Sequence, residues 1–448
     1  MLNTLLTHTP LFYFIQSLWR DEAFSILAAE RSIGFIFTKL GFEPPVYYSL
    51  LHFWIKIFGD SEIATRSLSL LGFVLATIII IEWSGALFKK HWLAWFTPLF
   101  FALNPMLLYY AFEVRTYGWY MFFAVASLYT YANKKWFWFS VSSILGFYTH
   151  TYFLFHLVAL GTHWLITEWH VLRKSRKHLL KQNDVKSFLV IGAATLPWML
   201  KIINESARLK NSWYFPVDLH LLYSVLGNMF IGYEGTPWYG WQYTKYLSIL
   251  LAICITLALR NKREQKLNML LFFIIGIPLF LCLGISFIKP LFVNRYLISV
   301  TVGEVLIVIA ALKSIRNSAL QKCSAIALLG MILWVNWWFP KEHAKLPIRD
   351  TMTSVNSLQK KSDLYFAASP MIYLEVKYYA SDRSRVFLYN PNRGEFPWYI
   401  GDAVITGKDM TEDLPLYPSR AFLIHDDGSY EIVYRMPITT QAKSTINK

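Results

Sequence analysis

Charge is scarce in this chain, and negative charge scarcest. Only 16% of the 448 residues are Asp, Glu, Lys or Arg, and 28 acidic residues stand against 43 basic ones. A typical soluble domain carries about 25% charged residues. The chain is 55% hydrophobic and 18% aromatic, with a mean hydropathy of +0.36. Those values exclude a soluble globular protein, because a domain of this size could not keep so much apolar surface from water. Cysteine is nearly absent. Cys254, Cys282 and Cys323 lie in or beside apolar runs and none falls in the polar C-terminal part, so there is no disulfide framework and no zinc spacing. Neither a G-x-G-x-x-G loop nor a P-loop occurs, which excludes the usual nucleotide cradles. There is no cleavable signal pattern, no internal repeat and no low-complexity tract.

What the chain does have is long apolar runs. A bilayer span needs roughly 20 predominantly apolar residues, and residues 67–88 and 267–288 meet that most clearly. About eleven spans are expected, near 2–18, 67–88, 92–112, 117–133, 136–149, 151–169, 187–203, 246–260, 267–288, 291–312 and 319–338. The first is short. With a cytoplasmic N-terminus, every basic cluster falls inside: Lys89 and Lys90, Lys134 and Lys135, Arg173 to Lys186, Arg260 to Lys266, and Lys313 to Lys322. That is the positive-inside pattern. It accounts for the net charge of +15 without nucleic-acid binding. The plasma membrane is the expected location.

Two regions differ from plain spans. The outer loop 19–65 contains VYYSLLHFWIKIF (46–58), which reads as an amphipathic interfacial helix. Tyr47, Leu50, Leu51, Trp54 and Phe58 share one face, and Ser49, His52 and Lys56 the other. Residues 23–38 suggest a second such helix. After residue 339 the pattern turns to short strands at 364–369, 385–389, 402–406, 420–425 and 429–435, with a helix at 370–380 opened by Pro370. The fold class expected is an all-α polytopic membrane protein with a small C-terminal α/β outer domain. Residues 1–339 form the transmembrane domain and 340–448 the extracytoplasmic one.

The chemistry-bearing residues gather on the outer side of this topology. Asp21 and Glu22 end the first apolar segment. Glu43 lies in GFEPP, Arg66 opens a span, Glu113, Arg115 and Tyr117 form the EVRTY turn, His150 follows Thr149, and Arg295 and Tyr296 open another span. Such a set suits a phosphorylated, partly greasy molecule brought against a polar one. Adjacent residues on a helix point in different directions, so Asp21 and Glu22 do not form a dyad. One faces the cavity and the other braces the backbone or meets a cation. Snorkelling at span ends is the alternative reading of Arg66 and Arg115, and a plain interfacial residue that of His150. Glu304 lies mid-span, where a charge costs a few kcal/mol and usually marks function or pairing. Aromatic residues in the 213–241 loop could stack on sugar rings.

The ordered set LWRDEAF, EPPVYYSLL, FGDSEIATRSLS, NPMLLYYAFEVRTYG and NRYLISV, spanning roughly residues 17 to 300, resembles the family 39 glycosyltransferases of the GT-C fold. These include protein O-mannosyltransferases, the aminoarabinose transferases of lipid A and RgtA-like enzymes. The resemblance implies sugar transfer, with inversion, from a polyprenyl-phosphate donor to an acceptor hydroxyl on a lipid, glycan or protein outside the membrane. It implies Asp21 as the catalytic Asp of the DE motif and Glu22 as its partner. Glu43 is implied as a carboxylate that some members link to a divalent metal ion. Arg66 and Arg115 are implied near the donor phosphate and Tyr296 near the lipid phosphate. Tyr117 and Arg295 join that phosphate set by position, and His150 joins Glu43 as a metal or acceptor candidate. EPP here lacks the Lys that follows this Glu in the aminoarabinose transferases, so the likeness stops short of their sugar. A lipid-linked-sugar flippase is the competing reading.

Overall fold

The structure is a computed structural model that describes residues 7–174, 182–205, 217–232, 238–342, 344–396, 400–401 and 403–437. The chain divides into two compact units. One comprises Met1–Gln16 with Ala28–Ala344, the other Ser17–Leu27 with Lys345–Lys448.

The first unit is helical. Among the described residues, six helices are long and apolar enough to cross a membrane: Glu62–Phe88, Asn183–Glu205, Gln242–Arg260, Lys262–Ser286, Asn294–Ser314 and Ser318–Pro340. This is an integral membrane protein. A seventh crossing forms if Leu93–Ala102 and Pro105–Ala111, bent by 55°, count as one span. The bend has a local cause. Asn104 accepts from the Leu107 N–H at 3.1 Å, its Nδ2 donates to the Phe230 carbonyl at 2.9 Å, and Pro105 starts the second piece.

The expected count of about eleven is not reached by length and apolarity among the described residues. The runs near 117–133 and 136–149 fold as helices of 16 and 12 residues, Tyr117–Ala132 and Trp136–Phe147. At 1.5 Å per residue they reach about 24 and 18 Å, short of a hydrocarbon core of about 30 Å. The 151–169 run is the Phe153–Lys174 helix, whose apolarity is diluted by His156, His163, Glu168 and His170. The 2–18 run shows the short helix Leu11–Ile15, and residues 1–6 lie outside the described ones. The loop read across 204–245 instead contains the helix Leu219–Phe230, capped by Asp218, whose side chain accepts from the Leu221 N–H.

The Asn294–Ser314 span is buried along most of its length. Glu304 on it is fully buried, and neither carboxyl oxygen has a hydrogen-bond partner among the described residues. Glu62–Phe88 and Tyr117–Ala132 approach closely at Gly72 and Gly118. A Cβ on Gly118 would stand 2.0 Å from the Ser69 carbonyl oxygen, and one on Gly72 would stand 2.7 Å from the Gly118 carbonyl carbon. Backbone cannot give way as a side chain can. Gly118→Ala is expected to cost about 3 kcal/mol, the upper part of the overpacking range. Gly192→Ala, whose Cβ would meet nothing within 4 Å, should cost none. Thermal unfolding of the two variants in detergent checks this, and equal behaviour would refute it.

The 19–65 segment holds three helices, Arg20–Ala29, Ile33–Lys39 and Pro45–Phe58. The single helix expected over 23–38 splits because Ser32 caps the second piece through the Phe35 N–H. The buried face of Pro45–Phe58 also differs from expectation. Tyr47, Tyr48, Leu51 and His52 are buried, while Phe53, Ile57 and Phe58 are exposed. His52 turns inward because its Nδ1 meets the Ala29 carbonyl at 2.7 Å.

The second unit is α/β. Its five strands are β1 (Leu364–Ala367), β2 (Val386–Tyr389), β3 (Met410–Thr411), β4 (Ala421–Ile424) and β5 (Tyr430–Val433), in the order β3-β2-β1-β4-β5. β1 pairs in parallel with β2 (Tyr365 opposite Val386) and with β4 (Leu364 opposite Ala421). β5 adds antiparallel to β4. The strand expected at 402–406 is a turn over its described residues, since Val404 and Ile405 both donate to the Gly401 carbonyl. The paired strand comes later, at β3. The helix expected from Pro370 begins at Tyr373. A helix absent from the sequence reading, Ile348–Leu358, buries Ile348, Met352 and Val355, an i, i+4, i+7 stripe.

Candidate active site

In the first unit the EPP turn sets the geometry. Pro44 is extended and Pro45 opens the helix, whose start is tied down by the Val46 N–H donating to the Tyr148 carbonyl. Glu43 and Tyr48 are thereby held against one arginine. Arg115 Nη2 lies 3.2 Å from Glu43 Oε1, and its Nη1 donates to Tyr48 Oη at 3.1 Å. The Arg115 carbonyl accepts from Ser69 Oγ, which also meets Tyr47 Oη, each at 3.0 Å. This planar two-pronged hold is one that arginine makes and lysine does not.

A ring cluster adjoins this arginine. The His150 ring lies 5.9 Å from Tyr117, 5.1 Å from Tyr120 and 5.1 Å from Tyr296, and the Arg295 guanidinium sits over the Tyr296 ring at 5.6 Å. Arg295, Tyr296, Arg115 and Glu113 are all within electrostatic reach of Tyr117. The Tyr117 hydroxyl is buried and has no hydrogen-bond partner among the described residues. His150 is neutral. Burial first, then Arg115 and Arg295, push its imidazole down to about 3. The Tyr152 N–H donates to its Nδ1 at 3.2 Å, so the neutral ring carries its proton on Nε2. The structure therefore brings together Glu43, Arg115, Tyr117, His150, Arg295 and Tyr296, from segments far apart in sequence.

Arg66 is placed differently. It is fully buried, and its Nη1 donates to the Phe14 carbonyl at 3.1 Å and the Gln16 carbonyl at 2.6 Å. It clamps the chain just before residue 17.

Asp21 and Glu22 belong to the second unit. They occupy the first turn of Arg20–Ala29, where negative charge suits the helix dipole. Arg20 holds Asp21, with Nε and Nη2 each 3.2 Å from Oδ1. Glu22 is fully buried; its Oε2 takes a hydrogen bond from Lys345 Nζ at 2.9 Å and one from the Trp19 N–H at 3.3 Å. Both carboxylates thus meet a cation, and Glu22 also accepts from the backbone. Further ties fix the segment. The Leu18 N–H donates to Tyr379 Oη at 2.7 Å, and the Arg349 N–H to Ser17 Oγ at 3.3 Å.

Tyr48 and Lys345 are partners the sequence reading missed. Tyr48 stood within the EPPVYYSLL motif, while Lys345 gives no local signal. Of the 213–241 loop considered for sugar stacking, residues 213–216 and 233–237 lie outside the described residues. Among the described residues no group of three or more His, Cys, Asp or Glu could hold a metal ion, and Glu43 Oε1 is taken by Arg115.

No family model matches the chain, and no curated protein matches it. Among solved structures it is similar to ArnT from Cupriavidus metallidurans in the apo state, with a TM-score of 0.60. It is also similar to the same protein bound to undecaprenyl phosphate, with a TM-score of 0.58. Each is 12% identical, with 92% of this chain and 91% of that chain covered. The likeness is one of fold.

Proposed function

We propose that this protein is a membrane glycosyltransferase that moves a sugar from a polyprenyl-phosphate donor to an acceptor hydroxyl, outside the membrane and with inversion. The observation that carries the reading is the buried cluster in the first unit, where Arg115 and Arg295 stand near the unbonded hydroxyl of Tyr117. Guanidinium forks and a phenol are donors suited to a phosphate diester. A fold neighbour that binds undecaprenyl phosphate supports it; that lipid is what transfer would leave behind.

In this reading the acceptor oxygen bonds to the sugar's anomeric carbon as the bond from that carbon to phosphate oxygen breaks. The acceptor proton passes to Asp21, and polyprenyl phosphate departs with the extra negative charge. Arg115, Arg295, Tyr117 and Tyr296 are the proposed phosphate contacts, because stabilising charge on the leaving group is where fixed donors act most strongly. His150, neutral with Nε2–H, serves as a donor rather than a base. Glu43 orients Arg115. Arg66 and Glu22 take bracing roles, since each is buried on partners described above.

The 55° break between Leu93–Ala102 and Pro105–Ala111 and the mid-span Glu304 favour a second reading, a lipid-linked-sugar flippase, whose kind uses broken helices and intramembrane charges. Against it, the break is closed by Asn104 and Phe230. The test supplies membranes carrying the protein with a panel of polyprenyl-phosphate sugars and follows donor consumption by mass spectrometry. Conversion of one donor to the bare polyprenyl phosphate is the expected result. Movement of an intact labelled donor across the bilayer without conversion would replace the transferase reading with the flippase one.

A further inference from the structure

The end of the helical unit away from Arg295 holds a pocket that no step above uses. Lys313 stands near the far end of the span that Arg295 opens, about 27 Å along it at 1.5 Å per residue. Three helix ends meet at this lysine. Its ammonium lies over the Phe88 ring at 4.8 Å and pairs with Glu264. Beside it, Asn261 Nδ2 donates to Ser314 Oγ at 3.3 Å.

An open-sided pocket of about 480 Å³ adjoins this junction. Ile80, Trp83, Leu271, Leu306 and Ile309 give it apolar walls. Its two hydroxyls are already spent on backbone. Ser84 Oγ donates to the Ala94 carbonyl at 2.9 Å, and Thr97 Oγ1 to the Leu93 carbonyl at 2.7 Å. The charged lining residues are Lys313 and Glu264, both half-buried. Exposed basic residues continue from the lining. Lys89 and Lys90 follow Phe88, Lys262, Arg263 and Lys266 flank Glu264, and Arg316 follows Lys313. The positive-inside bias accounts for basic loops. It does not account for an apolar pocket that ends on them.

We propose that this pocket binds an anionic phospholipid from the leaflet at that end, the inner one in the topology read from the sequence. One acyl chain lies along the apolar walls. The headgroup phosphate takes hydrogen bonds from Lys313 and the adjoining basic side chains. An ammonium has three donors, so Lys313 serves the phosphate while Glu264 holds it at the rim. Size decides against a partner helix. A helix is about 10–12 Å across and rises 5.4 Å per turn, so about one turn would fill the space, whereas an acyl chain is thin and flexible. Charge decides among lipids. A zwitterionic headgroup brings a cation of its own to a rim where cations outnumber the one acid, and an anionic headgroup brings the complement. The site is remote from the arginine cluster and stands whether or not the protein transfers sugar.

Native mass spectrometry of the full-length protein in neutral detergent tests this, with phosphatidylglycerol and phosphatidylcholine of identical chains as probes. One phosphatidylglycerol should be held about tenfold more tightly than phosphatidylcholine. Lys89→Gln with Arg263→Gln, both exposed, should erase most of that preference and leave thermal unfolding of the lipid-free protein unchanged. Ala310→Phe sets a ring in the pocket, since Ala310 lines it, and should abolish tight binding of either lipid. Equal affinity for the two lipids overturns the proposal, as does a preference that survives the exposed double change. That double change carries the test alone if Ala310→Phe does not fold. Displacement of phosphatidylglycerol by an equal concentration of polyprenyl phosphate would also overturn it and give the pocket to the donor's lipid.

Discussion

Asp21→Asn is expected to lower sugar transfer by about 10²–10⁴-fold, the usual worth of a positioned general base, while donor binding changes little. The asparagine amide keeps the shape and a hydrogen-bonding oxygen for Arg20, which holds Asp21 Oδ1 at 3.2 Å. It cannot accept a proton. The loss should therefore fall on kcat, the signature of an interaction made in the transition state. Donor consumption by membranes with equal amounts of the two proteins, measured across donor concentrations, reads both constants. A variant within twofold of wild type would move the proton acceptor elsewhere.

Lys345→Met should loosen the Arg20–Ala29 helix by about 3–5 kcal/mol, the penalty for removing one partner of a buried ion pair. Glu22 is fully buried, and Lys345, at 9% side-chain exposure, bonds its Oε2 at 2.9 Å. Methionine fills the stem's space and removes the charge. The double change Glu22→Gln with Lys345→Met should recover much of the loss, because a pair replaced as a whole leaves no stranded charge. Hydrogen exchange of the amides of residues 19–27 reads this local opening. Protection equal to wild type in the single variant, or no recovery in the double, would show that the pair carries little weight.

Spans such as Glu62–Phe88 were legible because length and apolarity alone make a bilayer helix. The short Trp136–Phe147 was visible as an apolar run, yet its reach was not. The break at Ser32 and the helix Leu219–Phe230 turn on single capping side chains, Ser32 and Asp218, which weigh little in a window average. The inward turn of His52 depends on a carbonyl 23 residues away. The site shows the same division. Glu43, Arg115, Tyr117, His150, Arg295 and Tyr296 could be named because each stands at the edge of an apolar run. Which of them touch, and what else they touch, could not. Tyr48 meets Arg115 across 67 residues, and Lys345 meets Glu22 across 323. No local pattern encodes such pairings.

The second unit draws eleven of its residues, Ser17–Leu27, from near the start of the chain and the rest from after Ala344. During synthesis that early segment leaves the ribosome long before its partners exist. At about 5–20 residues per second, the wait is on the order of half a minute. Throughout that interval Glu22 has no Lys345 and Arg20 no Met371. A proposed catalytic carboxylate on a helix tied to residues after Ala344 makes competence wait for that later part. A chain stopped after its last span would reach the membrane without Lys345, Arg349 and Tyr379, which tie down the segment that carries Asp21.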